Sequence, residues 1–268
     1  MARAAAGRPM SGTAGLAYAP KGLIGVLTPQ ANTTVEPEFA ILMPPGYGMI
    51  AARLTSDKPG IDARLIDYVA AIERKLGEFA NAPVGAFAFA CTGASYLIGP
   101  EREAETVADI SARHGIPFIT AADAIADALA ALGANRIAIV SPYHDSLHAS
   151  ALEYWAARGF ATAQVARITG ADAAFHPIYA LGAAASAEGL GRLDTGALDA
   201  VVMLGTGLPS LPAILSASGG PVPVLSSNLC LMWRSLLAVD GGAPDRDSLA
   251  PWLAGTGWGA RLKAQMAG

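Results

Sequence analysis

The chain has 268 residues, of which 53% are hydrophobic and 15% are charged, and its formal net charge is −4. A disordered chain would have fewer apolar residues and more net charge, and a nucleic-acid-binding protein usually carries a basic excess, so neither class is predicted. No stretch of about 20 apolar residues is free of charge, glycine or proline, so no membrane-spanning helix is expected. The two cysteines are too few for a disulfide scaffold and are typical of a cytoplasmic protein.

Short apolar runs alternate with helical patterns between two expected tails, at residues 1–20 and 241–268. The predicted strands lie at 22–27, 84–90, 117–120, 136–140, 200–204 and 222–225. Apolar residues three and four positions apart predict helices. These helices lie at 61–79, 100–114, 121–132 and 228–239, with one more that ends near residue 158. We interpret 43–56 as a loop, and the alternation indicates parallel sheets that are covered on both faces.

Three segments of the first half recur in the second half, in the same order and at nearly the same spacing. The matched pairs are 24–29 with 137–142, 90–93 with 204–207, and 116–120 with 222–226. This internal repeat predicts two similar α/β lobes whose corresponding loops meet across a cleft. We assign 21–118 and 222–240 to the first lobe and 119–221 to the second; the alternative is a single doubly wound sheet.

All six matched segments run into a small hydroxyl residue where the predicted strand ends. These residues are Thr28, Thr92, Thr120, Ser141, Thr206 and Ser226. Ligands of parallel sheets bind beyond the carboxyl ends of the strands. Hydroxyls and the backbone N–H groups of the following helices suit an anion such as a carboxylate. The alternative is that these residues only cap helices.

Cys91 stands among these hydroxyls, directly after an apolar run and before Thr92-Gly93. A thiol at a helix N-terminus has a lowered pKa and can act as a nucleophile or as an acid/base, whereas the alternative is a buried, inert cysteine. Cys230 lies within a Leu-Cys-Leu-Met-Trp run and is expected to pack in the core. The sequence has no phosphate-binding loop, dinucleotide fingerprint or zinc-protease motif, so we predict neither a cofactor nor a metal.

Four segments resemble the maleate cis–trans isomerase family, which shares the aspartate/glutamate racemase fold with the arylmalonate decarboxylases. They are 26–38 (VLTPQANTTVEPE), 89–93 (FACTG), 141–143 (SPY) and 208–212 (LPSLP). The likeness spans roughly residues 22 to 240. It implies two pseudo-symmetric α/β lobes, each with a mainly parallel four-stranded sheet flanked by helices. It also implies a small carboxylate substrate, no cofactor and a homodimer.

The same resemblance implies which residues form the site. Cys91 and Tyr143 correspond to catalytic residues of the family. The implied substrate-binding residues are Pro29, Asn32, Thr92, Gly93, Gly205, Thr206 and Ser227. In the isomerases the first cysteine adds to the alkene of maleate, the central bond rotates, and elimination gives fumarate. The loop at 43–56, with Tyr47 and Arg53, is expected to shape the pocket.

One departure from the family pattern matters, because the family's second cysteine falls on Gly205. Racemisation needs an acid/base on each face of the carbon, so this departure disfavours it. Isomerisation with Cys91 as the nucleophile is our first expectation. Decarboxylation of a malonate with protonation by Cys91 stays open, as does a non-catalytic binder of small acids. Arylmalonate decarboxylases carry the cysteine in the second lobe, so this chain would protonate from the opposite face.

Overall fold

The computed structural model of the protein describes residues 15–168 and 177–267. Its strands form two four-stranded sheets in which every pairing is parallel. The first sheet contains β1 (Gly22–Pro29), β2 (Tyr47–Leu54), β3 (Ala86–Phe89) and β4 (Phe118–Thr120). The second contains β5 (Arg136–Ser141), β6 (Ala161–Arg167), β7 (Ala200–Met203) and β8 (Val224–Ser226). The predicted fold class, two α/β lobes with parallel four-stranded sheets, is therefore confirmed.

The two sheets share one topology. The strand order is β2-β1-β3-β4 in the first and β6-β5-β7-β8 in the second. The central strands β1, β3 and β7 are buried along their whole length, because they consist almost entirely of apolar residues that pack under helices on both faces. This arrangement brings the carboxyl ends of the central strands of both lobes to the same cleft.

Helices connect the strands and cover both sheets. The first six are α1 (Val35–Leu42), α2 (Ile61–Ala70), α3 (Ile72–Leu76), α4 (Thr92–Ile98), α5 (Pro100–His114) and α6 (Ala121–Leu132). The next six are α7 (Asp145–Ala157), α8 (Ala183–Gly191), α9 (Leu211–Ala217), α10 (Ser227–Asp240), α11 (Arg246–Leu253) and α12 (Trp258–Met266). Short 3₁₀ helices lie at Gly77–Phe79 and Pro177–Ala180. Among the described residues, no helix is both long and apolar enough to cross a bilayer.

Two strands, β2 and β6, were not predicted from the sequence, and both lie at the edge of a sheet. The segment 43–56, which we interpreted as a loop, contains β2, and β6 follows the helix that ends near residue 158. Both strands are largely half-buried or exposed, so they lack the continuous apolar run that marked the central strands.

The helix predicted at 61–79 is divided at Ala71 into α2 and α3 and ends in a 3₁₀ turn. The two pieces have different partners, since α2 packs against α4 whereas α3 packs against β1 and β2. A single straight helix cannot cover both surfaces.

The lobe boundaries also need correction at two places. Residues 222–240 were assigned to the first lobe, but β8 pairs with β7 in the second sheet, and only α10 returns to pack on α1, β1 and β3. The expected tail at 241–268 contains α11 and α12, which bury Leu249 and Trp258. Of the amino-terminal tail, residues 1–14 lie outside the described residues.

Candidate active site

A small cavity lies between the lobes, at the carboxyl ends of the central strands. Its volume is about 30 Å³, and it is partly open to solvent. Its walls are formed by Pro29, Asn32, Ile61, Leu65, Tyr68, Cys91, Thr92, Gly93, Tyr143, Leu147, Ile178, Tyr179, Gly205, Thr206 and Gly207. No charged side chain occurs in this lining, as far as the described residues show. An anion inside the cavity would therefore be bound by neutral donors.

Eight of the nine site residues expected from the sequence line this cavity. They are Pro29, Asn32, Cys91, Thr92, Gly93, Tyr143, Gly205 and Thr206. Ser227 does not: it is fully buried at the start of α10, and its Oγ lies 3.5 Å from the carbonyl oxygen of Met203. The family resemblance implied Ser227 as a substrate-binding residue, but its hydroxyl instead faces Met203 of the second lobe.

Two aromatic residues of the lining, Tyr68 and Tyr179, were not among the site residues expected from the sequence. Tyr68 was on the apolar face of the predicted helix at 61–79, so its burial was readable but its part in the cavity was not. Tyr179 follows the segment 169–176, and no pattern around it pointed to a site.

The Cys91 thiol is buried in the cavity wall, directly before the first residue of α4. Burial raises the pKa of this thiol to about 12, and a hydrogen bond from the backbone N–H of Ala94 only partly opposes the rise. The lowered pKa that we expected from the helix N-terminus is therefore wrong for the unliganded site. Because α4 has seven residues and the thiol is withdrawn from water, desolvation outweighs the helix. Near pH 7 the group is a neutral thiol.

Three hydrogen bonds, formed around Thr92 and Thr206, cross the cleft in a nearly symmetric way. The Thr92 and Tyr143 hydroxyl oxygens lie 2.8 Å apart and join the first lobe to the second. In the opposite direction, the Asn32 side-chain amide donates to the Thr206 hydroxyl at 3.2 Å, and that hydroxyl donates to the Ala90 carbonyl at 2.8 Å. Each lobe thus contributes one threonine to the cleft and receives one polar side chain from its partner lobe.

Three tyrosines line the same cavity as the thiol. Burial raises the pKa of Tyr68 to about 12 and raises the pKa values of Tyr143 and Tyr179 further, and a negative charge on Cys91 would add to each rise. They remain protonated and can donate hydrogen bonds to an anion in the cavity.

Gly205 occupies the position opposite Cys91 in the repeat, and its backbone has φ +90°. A Cβ atom added there would lie 2.5 Å from Ile178 Cδ1, 3.1 Å from Pro142 Cγ and 3.3 Å from the Tyr143 hydroxyl. A side chain at this position would be strained and would have to displace Ile178. The cavity wall across from the thiol is therefore glycine backbone covered by an aliphatic side chain.

The loop between β1 and α1 is held in place by Arg53 and Glu36, which form an ion pair at the surface. Arg53 donates to the carbonyl oxygens of Pro29 and Asn32 at 3.1 and 2.9 Å and pairs with Glu36 at 2.6 Å. Asn32 is held further because its Oδ1 accepts the N–H groups of Thr34 and Val35. The Asn32 side chain, which reaches across the cleft, is therefore held by its own hydrogen bonds and by those of Arg53 to the loop backbone.

The four remaining hydroxyl residues of the repeat do not line the cavity, and two of them cap helices. Thr120 and Ser226 cap helices, since their oxygens accept the N–H groups of Asp123 and Leu229. Ser141 lies 2.9 Å from His148 Nδ1, and no partner of the buried Thr28 hydroxyl exists among the described residues. Cys230 is fully buried in α10, as expected.

Comparison with known proteins agrees with this geometry. The family model described as arylmalonate decarboxylase matches residues 24–247. The maleate isomerase of Geobacillus stearothermophilus is 26% identical over 236 residues, which cover 81% of this chain and 91% of the relative.

Two solved structures share the fold over 82% of this chain and 93% of their own. The maleate isomerase Iso of Pseudomonas putida S16 matches with a TM-score of 0.73 at 23% identity. A cysteine-to-serine variant of the Nocardia farcinica maleate cis-trans isomerase, which carries a covalently bound succinylcysteine intermediate, matches with a TM-score of 0.71 at 25% identity. These relatives are isomerases, the matching family model is that of a decarboxylase, and this chain is likewise an enzyme of isomerase or decarboxylase type. By its fold, its cleft and its sequence, the chain belongs to the arylmalonate decarboxylase family.

Proposed function

We propose that this enzyme isomerises a small unsaturated dicarboxylate of the maleate type, with Cys91 as the nucleophile and without a cofactor. The observation that carries the proposal is the position of Cys91, the one thiol in the cavity between the lobes, whose walls carry hydroxyl and amide groups from both lobes. The succinylcysteine in the Nocardia farcinica isomerase supports covalent addition of a cysteine in a relative of the same fold.

The reaction needs few groups. The Cys91 thiol first gives its proton to water. The thiolate then forms a C–S bond to one alkene carbon, and the electron pair of the double bond moves to the neighbouring carbon and its carboxylate. The central bond, now single, rotates; elimination then re-forms the double bond and releases the thiolate. Asn32, Thr92 and Thr206 would hold the carboxylates, and the Tyr143 hydroxyl would donate to the carboxylate that takes up the charge.

A second candidate is decarboxylation of a substituted malonate, and the neutral state of Cys91 favours it. In this reaction the C–C bond to one carboxylate breaks and CO₂ leaves with the bonding electrons remaining on the carbon. The retained carboxylate accepts that charge as an enediolate, and the thiol S–H proton is transferred to the carbon. The thiolate recovers its proton from water. A buried thiol whose pKa is raised to about 12 is a ready proton donor but a poor source of thiolate.

One experiment separates these reactions. Purified protein is incubated in D₂O with maleate, with phenylmalonate and with aspartate, and the products are followed by proton NMR. Fumarate from maleate supports the proposal, whereas phenylacetate labelled at the α-carbon supports the second candidate. Exchange of the aspartate α-proton would indicate racemase-type chemistry. Ligand-induced shifts without turnover of any substrate would indicate a binder and contradict both.

The stereochemistry of a labelled decarboxylation product gives a further check. A malonate with two different α-substituents should gain its proton from the Cys91 side only. Gly205 and Ile178 offer no donor on the other side, and the nearby Tyr143 hydroxyl is bonded to Thr92 and has a pKa that burial raises above that of the thiol. Chiral chromatography of the product would show a single enantiomer. A racemic product would contradict one-sided protonation.

A further inference from the structure

Glu38 is a buried carboxylate that the proposed reaction does not use. It lies in the segment 26–38 that carries the family likeness, but its side chain, on α1, does not reach the cavity. Only 5% of the residue is exposed, and none of the ion pairs among the described residues includes it. Burial raises the pKa of Glu38, and hydrogen bonds from Ser210, Asn228 and Leu211 oppose the rise.

The carboxylate connects the two lobes. Its Oε1 accepts the backbone N–H groups of Ser210 and Leu211, at 2.6 and 3.2 Å, where α9 of the second lobe begins. Its Oε2 accepts the side-chain amide of Asn228 on α10, at 2.7 Å. Three N–H donors therefore converge on a side chain of the first lobe, and all require an acceptor at position 38.

Asn228 connects Glu38 to the cavity by hydrogen bonds. Its Nδ2 donates to Glu38 and also, at 3.0 Å, to the carbonyl oxygen of Thr206. The reversed amide would place Oδ1 against two oxygens, while Oδ1 itself has no partner among the described residues. A carboxylate at position 38 and the Thr206 carbonyl together fix the orientation of Asn228. An amide at position 38 could donate, so it would remove one of the two oxygens that oppose the reversed orientation.

Thr206 carries the chain of hydrogen bonds to the residue before the nucleophile. Its hydroxyl donates to Ala90, and its neighbour Gly207 accepts a hydrogen bond from the Thr34 hydroxyl at 3.0 Å. An uninterrupted path of contacts therefore runs from Glu38 through Asn228 and Thr206 to the start of the Cys91 loop.

We propose that Glu38 is a positioning residue: as a carboxylate it fixes the amide of Asn228, and through it holds Thr206 in place beside Cys91. The consequence for catalysis rests on the proposed function, in which Thr206 binds a substrate carboxylate. The consequence for the position of Thr206 does not, so the two can be tested separately.

The test compares Glu38→Gln with Glu103→Gln. Glu103 is equally buried and accepts hydrogen bonds from Thr120, Tyr154 and Arg158, but it lies outside the cavity lining, so it is a matched control for the loss of a buried carboxylate. The methyl resonance of Thr206, assigned with Thr206→Ser, is recorded without substrate in both variants. We expect it to shift in Glu38→Gln and to stay in place in Glu103→Gln.

Turnover of the active substrate is then measured in the same variants. Loss of one hydrogen bond to Thr206 should lower kcat/KM about tenfold in Glu38→Gln, with a change in KM, and less than about twofold in Glu103→Gln. Asn228→Ala should reproduce the Glu38→Gln effect, and the double variant should be no worse than either single variant. If Glu38→Gln does not fold, Asn228→Ala alone provides the methyl shift.

An unchanged Thr206 methyl resonance in Glu38→Gln, or in Asn228→Ala where only that variant folds, would overturn the positioning role. Equal losses of kcat/KM in Glu38→Gln and Glu103→Gln, or effects that multiply in the double variant, would also overturn it. A Thr206 shift in a protein that turns over none of the substrates would uphold the positioning role and contradict the proposed function instead.

Discussion

The loop after β3 and the loop after β7 occupy equivalent places in the two lobes, but only the first carries a thiol. Both loops present a threonine that bonds across the cleft, Thr92 to Tyr143 and Thr206 to Asn32. At the preceding position the first loop has Cys91 with φ −148°, whereas the second has Gly205 with φ +90°. The lobes thus share their polar contacts and differ in the backbone that would carry the second thiol.

Gly205 differs from Cys91 in its backbone conformation as well as in the missing thiol. A side chain at position 205 would meet Ile178 and would need a backbone conformation that L-residues avoid. The cavity therefore has a thiol on one side and glycine backbone on the other.

The largest effect is expected from removing the thiol. Cys91→Ala should lower the turnover rate by about 10²- to 10⁴-fold, because the reacting group is lost while the cavity keeps its hydroxyls. The matched control is Cys230→Ala, which removes the other buried thiol outside the cavity lining and should keep its activity. Initial rates by proton NMR decide, and a fully active Cys91→Ala variant would refute the mechanism.

The pH profile comes next and distinguishes the two candidate reactions. With the pKa of Cys91 raised to about 12, the thiolate fraction grows about tenfold per pH unit between pH 7 and 10. If thiolate attack limits the rate, kcat/KM should rise by that factor in each unit. If the neutral thiol donates a proton, kcat/KM should stay level over this range and fall only as pH approaches 12. A bell-shaped profile centred near pH 7 would contradict the raised pKa.

The two cross-cleft contacts should respond differently to removal. Tyr143→Phe removes a hydroxyl bonded to Thr92 and should lower kcat/KM by about tenfold or more with little loss of stability. Asn32→Ala should also destabilise the fold by about 1–2 kcal/mol, because Asn32 Oδ1 accepts two N–H groups at the start of α1. Urea unfolding and steady-state kinetics on both variants test this, and equal stability losses would contradict it.

The smallest effect is expected at the glycines of the two loops. Gly205→Ala should cost about 1–2 kcal/mol of unfolding free energy, since its φ is +90° and its Cβ would meet Ile178. Gly93→Ala lies in α4, where its Cβ would lie 3.0 Å from Leu65 Cδ1 and alanine favours the helix, so the net change should be near zero. Urea midpoints compare the two variants, and a Gly93→Ala loss as large as that of Gly205→Ala would remove the asymmetry.

Much of the fold was readable from the sequence because the central strands are apolar throughout. The helices at 100–114 and 121–132 were predicted with their observed bounds, since Gly115 and Gly133 end them in the left-handed conformation. The edge strands β2 and β6 were not readable, because half-exposed strands lack an apolar run. Their places became clear only from pairing with β1 and β5.

The polar residues of the candidate site could be predicted from the sequence, but the pKa values of its side chains could not. Eight of the nine expected residues line one cavity. The repeat marked the strand ends that carry Cys91, Thr92 and Thr206, whereas Asn32 and Tyr143 were expected from the family resemblance. The pKa of Cys91 could not be derived in this way, since it depends on burial by side chains distant in sequence, such as Tyr68 and Tyr179. Glu38 was present in a recognised segment, but its partners lie more than 170 positions away.

The small volume of the cavity, about 30 Å³, has a consequence for the surroundings of a bound substrate. A four-carbon dicarboxylate is several times larger than a water molecule, so it would displace most of the water from the space beside Cys91. A carbanion formed there would meet few proton donors other than those that the protein supplies.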